Sequence, residues 1–528
     1  MDKESRKVKR NIRKAENQLF RLLFKTIFVI IALILQVAVF WFTFSVGNLL
    51  YSSQYYIYAI VRIIAVVYIM SRHDSSLYKI PWMLFILFMP VLGISVFILW
   101  GNNRMRSRKQ NEIKSVEKDT NYLFADSYDA DEYLISEDKL KYNIFNYIKN
   151  ITSYPACQNS GCKYYNLGEK LFDDLVEDLK NAKKFIFLEY YIIDRGILSN
   201  KVFDILKQKA DSGVEVKIIY DAYGCINKFK KKEKEDLKAH GIEIYAFNPI
   251  PLFLNSYLNN RLHRKIVSID GNISYTGGVN LADEYANIKA LYGHWKDVGV
   301  RLEGEVSWSF TLMFLRDLKF IDKKLEIEYN KYRNISSEEI MTTKDNGILC
   351  AISDGPNNRK NPIEAVYMQI INTAKNYVYI TTPYFAISEP MLESLLTAAR
   401  SGVDVRIMVP HIPDKKIVQM VTRSYYEVLL AAGVKVYEYA PGFIHSKTFV
   451  SDDNISVVGS ANMDYRSMSL NYECACVTYM TGSEIDVKED FLNMVEETSI
   501  PIELKDWIKR NWFVKIVESI LKTFSTMF

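Results

Sequence analysis

This 528-residue chain contains few cysteines, and its positive and negative charges nearly balance. Its six cysteines have no tight metal-ligand spacing, so neither a structural metal site nor a cofactor is predicted. Reduced thiols are expected, with a Cys157–Cys162 pair as the alternative. Lysine and arginine total 67 against 62 aspartates and glutamates, which leaves a net charge of +5. This near balance gives no indication of a nucleic-acid partner.

One pattern, H-x-K-x4-D-x6-G-[GS]-x-N, occurs twice in the chain. The first copy contains His263, Lys265, Asp270 and Asn280, and the second contains His445, Lys447, Asp452 and Asn462. At ordinary residue frequencies, roughly one chance match is expected in 10,000 chains of this length. Two matches in one chain therefore indicate a functional site.

Each copy of the pattern predicts a β-hairpin. In the first, two short β-prone runs flank Asp270–Asn272, which is a strong turn signal. Side chains two apart on a strand share a face, so His263 and Lys265 point the same way, as do His445 and Lys447. The glycines that follow permit close approach of a ligand, and an asparagine comes next. This set suits a phosphodiester: the lysine and the asparagine would bind its oxygens, and the histidine would do covalent or proton chemistry.

The doubled pattern resembles the signature of the phospholipase D superfamily, and the surrounding sequence is similar to bacterial cardiolipin synthases. This second similarity is carried by Arg72–Ser76, Ile80–Trp82, Met89–Gly93, Trp100-Gly101, Leu188–Ile192, Trp295–Asp297, Asn462–Ser467 and Leu470–Glu473. It extends from about Tyr55 to the C-terminus. The resemblance implies an α/β fold of two similar phospholipase D-like α/β-sandwich halves, preceded by transmembrane helices, with one active site shared between the halves.

The resemblance also implies a reaction. Two phosphatidylglycerol molecules would give cardiolipin and glycerol by reversible phosphatidyl transfer, and other anionic phospholipids would be further partners. His263 would attack phosphorus to form a phosphohistidine, while His445 would protonate the leaving glycerol and then deprotonate the incoming hydroxyl. A hydrolytic phospholipase D or another phosphodiesterase is the enzymatic alternative. A membrane scaffold is the non-enzymatic one, although intact histidine and lysine in both copies argue against it.

Five carboxylates are candidates for the site. Asp270 and Asp452 are counted with the catalytic motif, but their position at the hairpin turns favours a structural role. Each imidazole needs a carboxylate to hold its tautomer. Glu473 is the candidate for one imidazole and Asp297 for the other. Glu189, on a predicted buried strand, is a further supporting candidate.

Three apolar runs near the N-terminus predict a membrane anchor. Thr26–Val46 is long enough to cross a bilayer, Tyr55–Met70 is interrupted by Arg62, and Ile80–Trp100 includes Pro90 and Gly93. Two or three transmembrane helices, and a multi-pass protein of the bacterial cell membrane, are expected. The basic N-terminus favours a cytoplasmic start, which with three spans puts the catalytic part outside, whereas the basic residues after the third run favour the inside.

The rest of the chain has two halves with the same order of predicted elements. Strand and helix patterns alternate, which predicts a largely parallel sheet covered on both faces. Ala374–Tyr379 mirrors Ala182–Phe187, and Ser401–Arg406 mirrors Ser212–Lys217, as expected of a duplication. The predicted boundaries are an anchor (1–101), a connector (102–150), a first half (151–304), a linker (305–346), a second half (347–500) and a C-terminal amphipathic helix (501–528). That helix either contacts anionic lipid or packs on the catalytic part.

Overall fold

The computed structural model describes residues 30–38, 53–101, 105, 107–124, 130–158, 160–249, 259–333, 347–358 and 360–527. The chain divides into two compact units. The N-terminal unit comprises Met1–Arg104, Ile250–Asn260 and Thr523–Phe528, and the large unit comprises Met105–Pro249 and Arg261–Lys522.

The described part of the N-terminal unit is helical, with α1 (Ser53–Ser71), α2 (Ser76–Phe88), α3 (Pro90–Trp100) and a helical segment at 30–38. Helices α2 and α3 form a hairpin, in which the ring centres of Trp82 and Phe97 lie 5.2 Å apart. A Cβ on Gly93 would come within 2.9 Å of the Cα of Ile86. The run Ile80–Trp100, predicted as one membrane span, is therefore two helices: Pro90 has no N–H with which to continue the first, and Gly93 lets the second fold back.

Among the described residues, no helix is both long enough and apolar enough to cross a membrane. The predicted span Thr26–Val46 lies mostly outside the described residues, which include 30–38 of it. Gln36 in that segment accepts hydrogen bonds from the backbone N–H groups of Val91 and Leu92, at 3.1 and 3.4 Å, and so caps the start of α3. The predicted span Tyr55–Met70 lies within α1, which has 19 residues.

In the large unit, the connector and the first half contain helices and strands in alternation. The helices are α4 (Ser107–Thr120), α5 (Asp131–Glu137), α6 (Lys139–Thr152), α7 (Gly168–Asn181), α8 (Ile197–Asp211) and α9 (Lys231–Ala239). The strands are β1 (Ala156–Cys157), β2 (Ser160–Tyr165), β3 (Phe185–Tyr190), β4 (Glu215–Asp221), β5 (Glu243–Phe247), β6 (Ile266–Ile269), β7 (Ile273–Gly277), β8 (His294–Lys296) and β9 (Gly299–Gly304).

The second half follows a long helix, α10 (Glu305–Ile321). Its strands are β10 (Ile348–Asp354), β11 (Tyr377–Thr381), β12 (Phe385–Ala386), β13 (Asp404–Pro410), β14 (Lys435–Tyr439), β15 (Gly442–Ile444), β16 (Thr448–Ser451), β17 (Ile455–Gly459), β18 (Met463–Asp464), β19 (Glu473–Tyr479) and β20 (Ser499–Pro501). Its helices are α11 (Pro362–Thr373), α12 (Glu389–Arg400), α13 (Lys416–Arg423), α14 (Tyr426–Ala431), α15 (Tyr465–Ser469), α16 (Ser483–Glu497), α17 (Leu504–Trp507) and α18 (Trp512–Thr523). The predicted C-terminal helix is thus two helices.

The two main sheets repeat one strand order. The first runs β2-β9-β7-β6-β3-β4-β5, and the second runs β10-β19-β17-β16-β11-β13-β14 with β1 and β20 added at its edges. The α/β class and the duplication are as predicted, but neither sheet is largely parallel. Only β3, β4 and β5 run parallel in the first sheet, because each motif hairpin reverses the chain directly and so adds antiparallel strands.

The two halves pack against each other through a shared apolar core. It contains Ile266 and Val300 from the first half and Ala351, Val458 and Cys476 from the second. Helix α10 contacts strands of both halves, and its first fourteen residues are buried. The segment 305–346, predicted as a linker, therefore begins with a core helix, since its apolar residues are buried on every side.

Candidate active site

The two motif histidines lie where the halves meet. The backbone N–H of His263 donates to the carbonyl oxygen of Tyr472 at 2.9 Å, and that of His445 donates to the carbonyl oxygen of Lys296 at 2.7 Å. Strand β15, which leads into His445, pairs in parallel with β8 of the first half. Each histidine is therefore held by a residue of the opposite half. In both cases the next residue along that half carries a carboxylate: Glu473 follows Tyr472, and Asp297 follows Lys296.

Those carboxylates cross between the halves. Nδ1 of His263 lies 2.9 Å from the carboxylate oxygens of Glu473, and Nδ1 of His445 lies 2.6 Å from Oδ2 of Asp297. A carboxylate accepts, so each Nδ1 carries the proton and donates it. Each ring then presents the lone pair of Nε2, which is the tautomer that a nucleophile or a general base requires. The carboxylate that fixes each imidazole therefore comes from the opposite half.

The residue after the first motif glycine differs between the copies, and the structure gives the reason. A Cβ on Gly278 would lie 2.0 Å from Oδ1 of Asp297, so only glycine fits beside this short carboxylate. In the second copy Ser460 takes the corresponding place and donates to Glu473 at 2.5 Å. Glu473 also accepts from Nδ2 of Asn471 at 3.2 Å. Both carboxylates are fully buried, so these bonds fix their orientation.

The lysines of the two motifs share one buried site with the histidines. Burial and the neighbouring lysine charges lower the pKa of His263 to about 4 and that of His445 to about 3. The adjacent carboxylates raise both pKa values, but by less. Burial likewise lowers the pKa of Lys265 to about 8 and that of Lys447 to about 7, and the charge of Lys265 contributes to the second shift. Lys447 acts on the pKa of His263 and Lys265 on that of His445, so all four groups lie within electrostatic reach. Such a site favours an anion.

Aromatic rings form the walls around the imidazoles. The ring of Tyr191 lies 5.0 Å from that of His263. The rings of Tyr285, Trp295 and Phe443 lie 5.5, 5.6 and 5.8 Å from that of His445. These contacts were not predicted from the sequence, because the rings belong to loops and strands whose closeness depends on the packing of the halves. Ser460 was detectable as the one departure from glycine in the repeated motif.

The motif asparagines are placed differently from each other. Asn280, predicted to bind phosphate, accepts from the N–H of Ile192 at 3.0 Å and donates to the hydroxyl of Tyr285 at 2.7 Å. It therefore ties the segment after β3 to the wall of the site, and its amide is already engaged. In the described part of the chain, the buried Oδ1 of Asn462 has no hydrogen-bond partner. For Asn462, phosphate binding stays a prediction.

The motif aspartates are structural, which corrects their inclusion in the catalytic set. Asp270 has a φ of 54° and its carboxylate accepts from the N–H groups of Lys183, Lys184 and Phe185, at 2.7 to 2.9 Å. Asp452 repeats this, with a φ of 52° and bonds to the N–H groups of residues 375–377. Both therefore fasten the hairpin turn to the start of the adjacent strand, at the end of the hairpin away from the histidine.

Glu189 contacts a buried ion pair and neither imidazole. Arg264 donates to Asp317 and, at 3.2 Å, to the carbonyl oxygen of Glu473. Burial, reinforced by the charge of Asp317, holds the pKa of Glu189 well above its ordinary value, which favours the neutral carboxyl next to Asp317. This network supports the strand from which Glu473 projects, and it joins the halves from behind the site.

Comparisons with known proteins agree with this geometry. A family model described as "Cardiolipin synthase, PLD-like domain" matches residues 175–289 and 367–495, and one described as "Phospholipase_D-nuclease N-terminal" matches residues 56–102. A cardiolipin synthase of Halalkalibacterium halodurans is 33% identical over 89% of this chain and 92% of its own length. An uncharacterised protein of Streptococcus mutans is 37% identical over 82% of this chain and 93% of its own length.

A solved structure has the same fold. The crystal structure of phosphatidylserine synthase from Haemophilus influenzae matches with a TM-score of 0.54 at 15% identity, over 73% of this chain and 97% of that one. At that identity the likeness concerns the fold alone. The sequence relatives, however, are aligned over nearly their whole length at more than 30% identity. The chain therefore belongs to the cardiolipin synthase family, within the phospholipase D superfamily.

Proposed function

We propose that this phosphatidyltransferase joins two phosphatidylglycerol molecules to give cardiolipin and glycerol. One observation carries the proposal: two His-Lys pairs are buried in a single site, and each imidazole is fixed at Nδ1 by a carboxylate of the opposite half. One Nε2 can then attack a phosphodiester while the other moves a proton, with two ammonium groups beside the phosphate.

The reaction has two steps in this proposal. Nε2 of His263 attacks phosphorus, the bond from phosphorus to the glycerol oxygen breaks, and His445 gives that oxygen its proton. A hydroxyl of the second phosphatidylglycerol then passes its proton to His445 and attacks phosphorus, and the bond to His263 breaks. The nucleophilic role of His263 follows from the resemblance to the superfamily.

The low pKa values of the pocket groups support an anionic substrate. His445 is neutral in the empty pocket, where burial and Lys447 lower its pKa to about 3. A phosphodiester bound between the lysines opposes those positive charges and raises the pKa values of both histidines and both lysines. Substrate binding thus favours the protonated His445 that the first step needs. The transition state carries more negative charge and benefits more.

We further propose that the N-terminal unit embeds the enzyme in the bacterial cell membrane, where its substrates are. Side chains of α1 that are 55–62% exposed include Ile60, Ile63, Ile64, Val67 and Met70. An apolar surface of this kind is typical of contact with lipid. The test is extraction of the full-length protein: it should stay with membranes after an alkaline carbonate wash. Release into the wash would refute the embedding.

The decisive assay uses purified protein in phosphatidylglycerol vesicles, with products followed by mass spectrometry. We expect cardiolipin and an equal amount of glycerol, and neither from His445→Ala. Quenching with denaturant at alkaline pH should trap an acid-labile, alkali-stable phosphoenzyme that His263→Ala does not form. Phosphatidic acid as the sole product would mean that water is the acceptor, and full activity of either variant would refute the mechanism.

A further inference from the structure

Arg261 is a buried cation with an incomplete set of partners. Its side chain is 2% exposed, although a guanidinium has five N–H donors to satisfy. Nη1 lies 3.5 Å from Oδ1 of Asp221 and 3.5 Å from the carbonyl oxygen of Asn248, both long for a charged hydrogen bond. Over the described ranges, the buried Nη2 has no hydrogen-bond partner. An unpaired donor on a buried cation is costly, and an anion would satisfy it.

Arg261 lies on the histidine side of the site. Leu262 forms a β-bridge to Tyr472, so the chain is extended here and the side chains of Arg261 and His263 share one face. Tyr191 lies against His263, with ring centres 5.0 Å apart. Burial raises the pKa of Tyr191 to about 12, and the charges of Arg466 and Arg261 oppose that shift, so Arg261 acts on the same wall of the site.

The proposed reaction places a second anion close to the reacting phosphorus. Cardiolipin contains two phosphodiesters joined through one glycerol. One phosphorus reacts at the histidines, between Lys265 and Lys447. The phosphodiester of the acceptor molecule does not react, but it must lie one glycerol away while its hydroxyl attacks. In a site as buried as this one, a second phosphate needs a cation of its own.

We propose that Arg261 binds the unreacting phosphodiester of the acceptor phospholipid and so directs the acceptor's glycerol hydroxyl to the phosphorus on His263. This inference rests on the proposed function. The guanidinium offers a forked pair of donors, which suits two phosphate oxygens better than an ammonium does. Arg261 then distinguishes a phospholipid acceptor from free glycerol or water, because those two carry no phosphate.

Two assays with the same phosphatidyl donor separate binding of the acceptor's phosphate from the chemistry at the histidines. Exchange of labelled glycerol into phosphatidylglycerol uses both histidines but an acceptor without phosphate, whereas cardiolipin formation uses an acceptor with one. We expect Arg261→Gln to lower cardiolipin formation roughly 10- to 100-fold, as loss of a charge-assisted pair does. Glycerol exchange should stay within about threefold of wild type, since its acceptor makes no contact with Arg261. Arg195→Gln, at an exposed arginine, is the matched control.

A second variant guards against misfolding. Removing Arg261 alone leaves Asp221 buried without its cation, so Arg261→Gln/Asp221→Asn removes both charges and should give the same split. Arg261→Lys should recover part of the cardiolipin rate. An equal fall of both reactions in the double variant would overturn the inference, as would no fall in either. A wild type that neither exchanges glycerol nor forms cardiolipin would instead overturn the proposed function, and the inference with it.

Discussion

Replacing Glu473 with glutamine tests whether the crossed carboxylate controls the nucleophile of the other half. Glu473 accepts three side-chain hydrogen bonds, from His263, Ser460 and Asn471, and it is fully buried. Glutamine has nearly the same shape but can also donate to Nδ1 of His263. The ring would then keep its proton on Nε2, where the attack on phosphorus requires a lone pair.

The expected effect is large. In a serine protease, the amide in place of the buried carboxylate lowers kcat about 10⁴-fold through the wrong histidine tautomer. The charge of Glu473 also raises the pKa of His263 against burial, so its loss makes the imidazole less basic. We expect kcat to fall roughly 10³- to 10⁴-fold, which corresponds to about 4–5 kcal/mol of transition-state stabilisation. KM should change little, because both lysines remain.

The assay is cardiolipin formation from phosphatidylglycerol vesicles, together with trapping of the phosphoenzyme by denaturant at alkaline pH. Glu484→Gln is the matched control, since Glu484 is also fully buried in the second half but accepts from Thr481 and Gly482. It should keep near wild-type turnover. A Glu473→Gln enzyme that folds, keeps kcat within about tenfold and forms phosphoenzyme at the normal rate would refute the role of the crossed carboxylate.

Four further outcomes are expected. Asp452→Ala removes the acceptor of three backbone N–H groups and should lower the free energy of unfolding by about 2–3 kcal/mol, with kcat of the folded enzyme within a few fold of wild type. Gly278→Ala should lower turnover about 100-fold, because the new Cβ would displace Asp297 from His445. A chelator should leave activity unchanged, because histidines and lysines supply the nucleophile, the acid and the positive charge. Below pH 6.5 the unfolded chain protonates its histidines while the native pair, with pKa values of about 4 and 3, does not, so stability should fall by about 2 kcal/mol per histidine between pH 7 and pH 5.

Each of these four predictions has its own measurement and its own contradicting result. Denaturant unfolding in detergent serves for Asp452→Ala, and a kcat loss above tenfold would give that aspartate a catalytic role. Normal turnover of Gly278→Ala would mean that Asp297 can move without cost. Inhibition by a chelator that one metal reverses would require a different mechanism. For the pH dependence, His445→Asn should remove about half of the loss, and an unchanged profile would mean that this imidazole is protonated in the native state.

The hairpins could be predicted because their signal is local. The turn residues, the period-two alternation and the glycines lie within twenty residues of one another, and the second copy repeats them. The helical hairpin of α2 and α3 was missed because a proline and a glycine in an apolar run are also compatible with a kinked membrane helix. Helix α10 was missed because its position between two sheets depends on both halves.

The pairing of histidines with carboxylates could be predicted only in part, and the reason lies in the duplication itself. Asp297 and Glu473 occupy equivalent positions, since β7 pairs Gly277 with Gly299 as β17 pairs Gly459 with Ala475. Sequence spacing gives each half one histidine and one carboxylate, and it does not say that they bond across the interface. Because they do, a single half holds no correctly fixed imidazole. Catalysis therefore depends on how the halves pack, and Arg264 contributes to that packing: it pairs with Asp317 and donates to the carbonyl oxygen of Glu473, the residue whose carboxylate fixes His263.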